Sequence, residues 1–273
     1  MRYLPIFFLF AALFSACSTT QITVYQDDYV KVNDTFYVSK GEVTNRMYRA
    51  YLDSLKSSGN NQELEQSQLD TLRWKEPLLY GEPFAKLYHK NENYDQYPAV
   101  NMSHEAAVNF CKWLTTKFNN DPDRQYDSVL FRLPTAYEWE YLARAGSESA
   151  IYPWDGEELL QNGNAKANFF TNNKALDTDS AGEMQKTTAP VNSYRPNDFG
   201  LYNMSGNVAE MIEEKGIAKG GSWAQNEDYL RISKEYEYWR AAPYIGFRPV
   251  MVIIRNKNNE DTGCNCGGLF LDR

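Results

Sequence analysis

Histidine is the scarcest chemistry-bearing residue in this 273-residue chain: only His89 and His104 occur. One chain with two imidazoles cannot build a metal centre that needs three. Cysteine is nearly as rare, with four residues at 17, 111, 264 and 266, a spacing that forms no disulfide framework. Positive charge is also short. Lysine and arginine number 28 against 36 acids, for a net charge of −8, so no basic excess is on hand to neutralise phosphates and a nucleic-acid binder is disfavoured. There is no internal repeat and no Pro/Ser/Gly-rich linker in the middle of the chain, which favours one domain. What is present in quantity is aromatic. Twenty Tyr, 14 Phe and 6 Trp are far too many for a solvating tail.

Met1-Arg2 is a short basic start, and residues 6–14 form an apolar run too short to span a bilayer as a helix. Ser15-Ala16-Cys17 follows and resembles a bacterial lipobox, with Phe14 where an aliphatic residue is usual. The competing reading is an ordinary signal peptide with an incidental cysteine. The lipobox reading makes residues 1–16 a signal peptide and Cys17 an acylated first residue. Acyl chains at about 0.8 kcal/mol per buried CH₂ then hold the protein on a membrane. Losing 16 of 273 residues leaves 257 and, with Arg2 gone, a net charge of −9. No acidic cluster follows in Ser18-Thr19-Thr20-Gln21, so the expected location is the outer membrane, facing the periplasm. The remainder divides into a tether and first strand at 17–35, a domain at 36–252 and a polar C-terminal tail at 253–273.

Three helices are expected. The first runs from Asn45 to about Leu55, capped by Thr44, with Met47, Tyr48, Tyr51, Leu52 and Leu55 on one face. Ser103 caps the second, which carries Ala107, Phe110, Cys111, Leu114 and Phe118 as a stripe. The third opens on Thr135-Ala136-Tyr137-Glu138, a capping-box pattern. It turns Trp139, Leu142 and Ala143 inward and ends near Gly146. Residues 56–68 read as a polar surface insertion. From 147 to 250 Gly, Asn, Pro and aromatics are interleaved without sustained periodicity, apart from a strand-like run at 247–254. Such chain satisfies its backbone through side-chain caps, turns or bound ions.

Phe131-Arg132-Leu133-Pro134-Thr135-Ala136-Tyr137-Glu138-Trp139-Glu140-Tyr141-Leu142-Ala143-Arg144-Ala145-Gly146 resembles the helix signature of the formylglycine-generating enzyme, or sulfatase-modifying factor, family. Further blocks follow in the family's order: Glu42-Val43-Thr44-Asn45, Tyr97-Pro98-Ala99-Val100 with Cys111-Lys112-Trp113, and Tyr152-Pro153-Trp154. The series ends with 189–210, Gly220-Gly221-Ser222-Trp223 and Gly246-Phe247-Arg248. The resemblance covers roughly residues 36–252. It implies an α+β fold of the C-type-lectin-like kind, with few short helices and strands and much irregular chain, in which Trp139, Trp154 and Trp223 are buried.

Active members of that family oxidise a sulfatase cysteine with copper held by a cysteine pair just after the Gly-Gly-Ser block. Cu(I) is soft and needs thiolates, yet the two positions here are Gln225 and Leu230. Oxidase chemistry of that kind is therefore not expected, and neither copper nor iron is an expected cofactor. His89 and His104 read as surface residues, Cys111 as a small core hydrophobe, and Cys264-Asn265-Cys266 as too few ligands for structural zinc. The resemblance also implies a calcium loop at Asn203-Met204-Ser205-Gly206-Asn207-Val208-Ala209-Glu210. The ligands would be the side chains of Asn203 and Glu210 and the carbonyls of Gly206 and Val208, a hard-oxygen set suited to Ca²⁺. The competing reading is a metal-free turn capped by Glu210. A second calcium site would begin at Asn168-Phe169, its acidic partner open among Asp177, Asp179 and Glu183.

A narrower resemblance concerns residues 69–98. Leu69-Asp70-Thr71-Leu72-Arg73-Trp74, Glu82-Pro83, Tyr88 and Tyr94-Asp95-Gln96-Tyr97-Pro98 look like the insertion of gliding-motility and type IX secretion lipoproteins of this family. That resemblance implies a non-catalytic, lipid-anchored structural component with other envelope proteins as partners. Within the insertion Trp74, Leu78, Leu79, Tyr80 and Phe84 are expected to pack as a loop rather than form an exposed partner-binding patch. Two competing expectations are an enzyme of the same fold with other chemistry and a lectin-like ligand-binding module. A deep pocket near Gly220–Leu230 would favour the former.

Overall fold

The computed structural model describes residues 28–171 and 187–256. Cys17, Asp177, Asp179, Glu183, Cys264 and Cys266 lie outside them. Among the described residues ten short strands and five α-helices, the short α3 (Glu82–Leu87) included, alternate with long irregular connections, the α+β architecture expected. Strands β1 (Tyr29–Lys31), β2 (Phe36–Ser39), β3 (Ser128–Arg132) and β10 (Val250–Arg255) form an antiparallel sheet in the order β1-β2-β10-β3. A second sheet takes the order β8-β7-β6-β9 from β6 (Ala209–Met211), β7 (Ile217–Lys219), β8 (Glu235–Glu237) and β9 (Ile245–Phe247), with β6 and β9 parallel. A two-residue pair, β4 (Leu160–Gln161) and β5 (Asn164–Ala165), stands apart. Only Arg248 and Pro249 separate β9 from β10, so this dipeptide carries the chain from one sheet to the other.

The three expected helices form with their expected caps. Helix α1 (Asn45–Ser58) starts at Thr44, whose Oγ1 accepts from the Met47 amide at 3.2 Å, and stops at Gly59 in the left-handed region. Helix α4 (His104–Asn119) is capped by Ser103 through the Ala106 amide, and α5 (Ala136–Arg144) by the full Thr135/Glu138 box. The left-handed residue that ends α5 is Ala145, one position before the expected Gly146. Residues 56–68 hold a short helix, α2 (Asn61–Gln66), rather than a plain surface insertion. Asn60 caps it, and Leu64 packs against the main core.

That core is aromatic and lies between the α1/α4 pair and the first sheet. Tyr48 stacks on Phe110 at 5.8 Å, Tyr51 meets Phe110 edge-on at 5.5 Å, and Phe247 meets Phe110 at 5.3 Å. Such offset and edge-to-face pairs contribute about 0.5–1.5 kcal/mol each beyond area burial. Cys111 is buried in the same cluster, as its stripe position implied. A second cluster gathers Trp139, Leu142 and Ala143 of α5 with Phe36, Val38, Met204 and Ile212. A third holds the 69–98 insertion, where Trp74 stacks on Phe84 at 5.0 Å and on Trp223 at 6.1 Å. No helix among the described residues is long and apolar enough to cross a membrane.

Candidate functional site

Two neighbouring pieces of irregular chain hold the residues singled out in the sequence. The first is the turn 203–210. Asn203, Gly206 and Asn207 all adopt positive φ (52°, 79° and 62°), which winds the turn tightly enough to enter β6 at Ala209. Gly206 is required on a second count, because a Cβ there would meet the Asn168 carbonyl oxygen at 2.5 Å. Asn207 is wholly inaccessible. Its Nδ2 donates to Glu42 at 2.8 Å and to the Ala189 carbonyl at 3.2 Å, and its Oδ1 accepts from the Ala189 amide at 2.8 Å. These are the side-chain caps that chain without long ladders needs.

Glu210 sits at the end of that turn, 1 % exposed, facing Arg248, which is fully buried. Arg248 donates to the Glu210 carboxylate from Nη2 at 2.7 Å and from Nε at 3.1 and 3.0 Å. Trp139 Nε1 donates to Glu210 Oε2 at 2.8 Å. The rest of the guanidinium donates to the carbonyls of Ser39, Lys40 and Tyr202 at 2.9, 2.7 and 2.6 Å. One side chain thus ties the end of β2, the 203–210 turn and β6 together at the crossing between sheets. Glu42, also buried, is the second carboxylate of the cluster and accepts from Asn203 Nδ2 at 3.3 and 3.2 Å. Burial pushes its pKa up to about 8, with Glu210 adding to the rise and Arg248 opposing it.

The implied calcium ligands Asn203, Gly206, Val208 and Glu210 are therefore brought onto one turn, but as arranged they do not fit the ion. Both Glu210 oxygens are committed to Arg248 and Trp139, and with Glu42 protonated the cluster is already neutral. A divalent cation at Glu210 would stand against a guanidinium. Asn203 Oδ1 is a buried acceptor without a partner; with the Gly206 and Val208 carbonyls it would supply three oxygens, where calcium takes six to eight. Asn168, the start of the other implied site, donates from Nδ2 to the Thr187 carbonyl at 2.7 Å. Among the described residues no three His, Cys, Asp or Glu side chains converge as a metal group.

The second piece is the 220–230 loop, which carries Gln225 and Leu230, the positions that the resemblance assigns to a cysteine pair. Gly221 has φ 67°, and a Cβ there would meet the Tyr229 carbonyl oxygen at 2.7 Å, so the loop folds back on itself. Gln225 Oε1 accepts from Ser222 Oγ at 2.9 Å, and its carbonyl accepts from the Phe170 amide at 2.9 Å. Leu230 is fully buried with Tyr152, Ala167 and Phe169, and its carbonyl accepts from Ser205 Oγ at 2.7 Å. The position is filled with hydrocarbon. A cleft of about 730 Å³ lies beyond that cluster, between 144–166 and 194–198, and none of residues 220–230 lines it. Trp154, on its wall, is half-buried rather than buried. It stacks on Tyr152 at 5.1 Å and holds Lys166 Nζ over its ring at 5.6 Å.

Both histidines are buried, a correction to the surface reading. His89 is 6 % exposed. Its Nδ1 hydrogen-bonds Asn45 Oδ1 at 2.9 Å, and burial together with the Arg49 charge lowers its pKa to about 3. His104 Nε2 pairs with the Ile212 carbonyl at 2.9 Å. Their polar sequence neighbours concealed this: Lys90 and Glu105 are exposed, while the partners Asn45 and Ile212 lie far away along the chain. Of the apolar residues in the insertion, Trp74 and Leu78 are buried and Phe84 packs on them, as expected. Leu79 and Tyr80 do not, at 84 % and 82 % exposed. Glu42 and Arg248 take their role from contacts remote in sequence, with Asn203 and Asn207 for the former and Glu210 for the latter.

Comparison with known proteins bears on what this arrangement is similar to. The profile of the sulfatase-modifying factor enzyme 1-like domain matches residues 19–253. The formylglycine-generating enzyme of Thermomonospora curvata is 36% identical over 158 residues, covering 49% of this chain and 46% of that protein. The inactive C-alpha-formylglycine-generating enzyme 2 of Bos taurus is 30% identical over 142 residues, 49% of this chain and 40% of that protein. A longer match, 27% identical over 275 residues, joins 85% of this chain to 92% of the chaperone protein LppX of Paenibacillus barcinonensis. The alignments thus span less than half the length of the formylglycine-generating relatives. Among solved structures, PvdO from Pseudomonas aeruginosa superposes with a TM-score of 0.52 at 22% identity over 80% of each chain, a likeness of fold.

Proposed function

The chain belongs to the sulfatase-modifying factor enzyme 1-like domain family, and from that premise we propose that it is a non-catalytic member, lipid-anchored through Cys17 and serving as a structural component of a type IX secretion or gliding-motility apparatus. The observation that carries the reading is the state of the cysteine-pair positions. Leu230 is sealed in an apolar cluster and Gln225 is hydrogen-bonded to Ser222. Neither offers a thiolate, and Leu230 offers no ligand atom at all. Relatives named as an inactive enzyme and as a chaperone support a role without that chemistry. The anchor and the apparatus rest on the lipobox and on the block between Leu69 and Pro98. In that block, Trp74 and Tyr88 build a separate aromatic cluster against Trp223.

Genetic rescue in the native bacterium tests the reading. Loss of the chain is expected to impair secretion or surface movement. A Gln225→Ala variant should rescue fully, since no chemistry passes through that amide, whereas Cys17→Ala should not. Failure of Gln225→Ala to rescue, with normal protein level, would point to an enzyme instead. Rescue by an unacylated chain would remove the anchor.

A further inference from the structure

The cleft between 144–166 and 194–198 is left unused by that reading. Its walls are fixed, while the polar groups they present are not engaged. Arg144 Nη1 donates to the Ala150 carbonyl at 2.5 Å, and Lys166 Nζ to the Asp155 carbonyl at 3.3 Å. These bonds tie 150–155 to the end of α5 and to the chain after β5. On the other wall Asn197 Nδ2 donates to the Leu142 carbonyl at 2.8 Å. Its Oδ1 accepts from the Phe199 and Leu201 amides at 3.2 and 3.0 Å. The β4–β5 hairpin turns through Asn162 and Gly163 at φ 52° and 81°, a two-residue turn of the kind that matches strand twist. Within that frame the head groups of Gln161, Asn162, Arg195 and Asp198 are exposed and have no partner among the described residues. Asn164 Nδ2 reaches only the Asn162 carbonyl, at 3.5 Å. The carboxylates of Asp155 and Glu158 are likewise unpaired.

We infer that this cleft binds a neutral saccharide. Its volume of about 730 Å³ falls in the range of small-molecule sites, about 300–1,000 Å³. The lining excludes other ligands in turn. A polyanion would meet Asp155, Glu158 and Asp198, with Arg195 as the one cation of the described lining not already engaged. An acyl chain or a peptide side chain needs an apolar pocket. The aliphatic lining here is three alanines, two prolines and Leu160, and Tyr152 is buried in its stack on Trp154. An extended peptide docks along a strand edge, and β4 and β5 are two residues long each. A sugar asks for what is present. Each ring hydroxyl both donates and accepts, and so does a side-chain carboxamide. Gln161, Asn162 and Asn164 therefore suit neighbouring hydroxyls, with Asp198 as a further acceptor and Arg195 as a further donor. Half-buried Trp154 offers an aromatic surface to the C–H face of the ring. Such a ligand adds to the structural role and does not rest on it.

Isothermal titration of the full chain in a non-glycosidic detergent tests the inference. Chitotriose, cellotriose and mannotriose are the neutral probes, and a heparin oligosaccharide is the anionic control. Saturable binding of at least one neutral trisaccharide is expected, and none of the control. Asp198→Ala should weaken it at least about tenfold, since a hydrogen bond to a charged group is lost, and Gln161→Ala by about three- to tenfold. Both side chains are exposed, so the melting midpoint should not move. Trp239→Ala removes an exposed indole outside the cleft and should leave binding intact. Retention on insoluble chitin, cellulose or mannan as well supports a polymer glycan, and binding of the soluble trimer alone supports a free oligosaccharide. Failure of all the neutral probes, binding indifferent to both cleft variants, or binding lost in Trp239→Ala overturns the inference. So does heat from the anionic control or from a mixed hexapeptide pool while the neutral sugars give none. None of these outcomes touches the cysteine-pair argument, so the non-catalytic reading stands or falls separately.

Discussion

Replacing Arg248 by methionine is the perturbation that strains this fold most. The substitution keeps much of the hydrocarbon volume and removes the guanidinium. Glu210, 1 % exposed, would then be a buried charge whose remaining donor is Trp139. Breaking a buried pair by removing one partner costs about 3–5 kcal/mol. Three carbonyls, of Ser39, Lys40 and Tyr202, lose their guanidinium donors as well, each costing about 1–3 kcal/mol where water cannot replace the bond. Even the carboxylate term alone is a large share of a domain stability of about 5–15 kcal/mol. For a domain of this size it lowers Tm by roughly 6–20 °C. Arg248→Lys should recover little, because one ammonium cannot reach acceptors spread across β2, the 203–210 turn and β6. Urea denaturation with near-UV circular dichroism is the assay. A loss below about 1 kcal/mol for Arg248→Met would refute the claim that this side chain joins the two sheets.

Two pH effects of opposite sign follow from the buried titratable groups. His89 has its folded pKa depressed to about 3 by burial and Arg49. Its contribution is therefore complete above the unfolded value near 6.5 and is lost as pH falls toward 3, at about 1.4 kcal/mol per pH unit. His89→Gln should flatten that acid limb in urea titrations between pH 6 and 4, and an unaltered slope would contradict it. Glu42 is the reverse case, with its folded pKa raised to about 8 by burial. Stability from that group is complete below the unfolded value and is lost as pH rises toward 8, so Glu42→Gln should gain on the wild type between pH 5 and 8. Trp74→Ala should cost about 3–5 kcal/mol, since its ring is wholly buried. Tyr80→Ser, an exposed change, should stay within about 0.5 kcal/mol. Chelation should leave the melting midpoint unchanged, because Arg248 already neutralises Glu210. A fall reversed by added Ca²⁺ would reinstate the ion.

How far the sequence reveals this structure depends on whether the information is local. Caps and stripes are local, so Thr44, Ser103 and the Thr135/Glu138 box place three helix starts correctly, and Tyr48, Phe110 and Trp139 fall in the core. The small helix α2 is less legible, because Asn60 is its only clear signal and Leu64 its only apolar residue. His89, Glu42 and Arg248 were hidden for another reason. Their partners are 44, 161 and 38 residues away, at Asn45, Asn203 and Glu210. A polar residue amid polar neighbours reads as exposed unless those distant partners are known. Leu79 and Tyr80 failed in the opposite sense, since nothing in the spacing separates them from Leu78 and Phe84, and only the doubling back at Gly81 turns them outward.

The central claim is that the chain acts as a structural part and not as a catalyst. It is tested most directly by quantitative affinity purification of the full chain from gently crosslinked native membranes. Stoichiometric recovery of other envelope proteins of a secretion or motility apparatus, undiminished by Gln225→Ala, is the predicted result. Recovery of the chain without any such partner would contradict it.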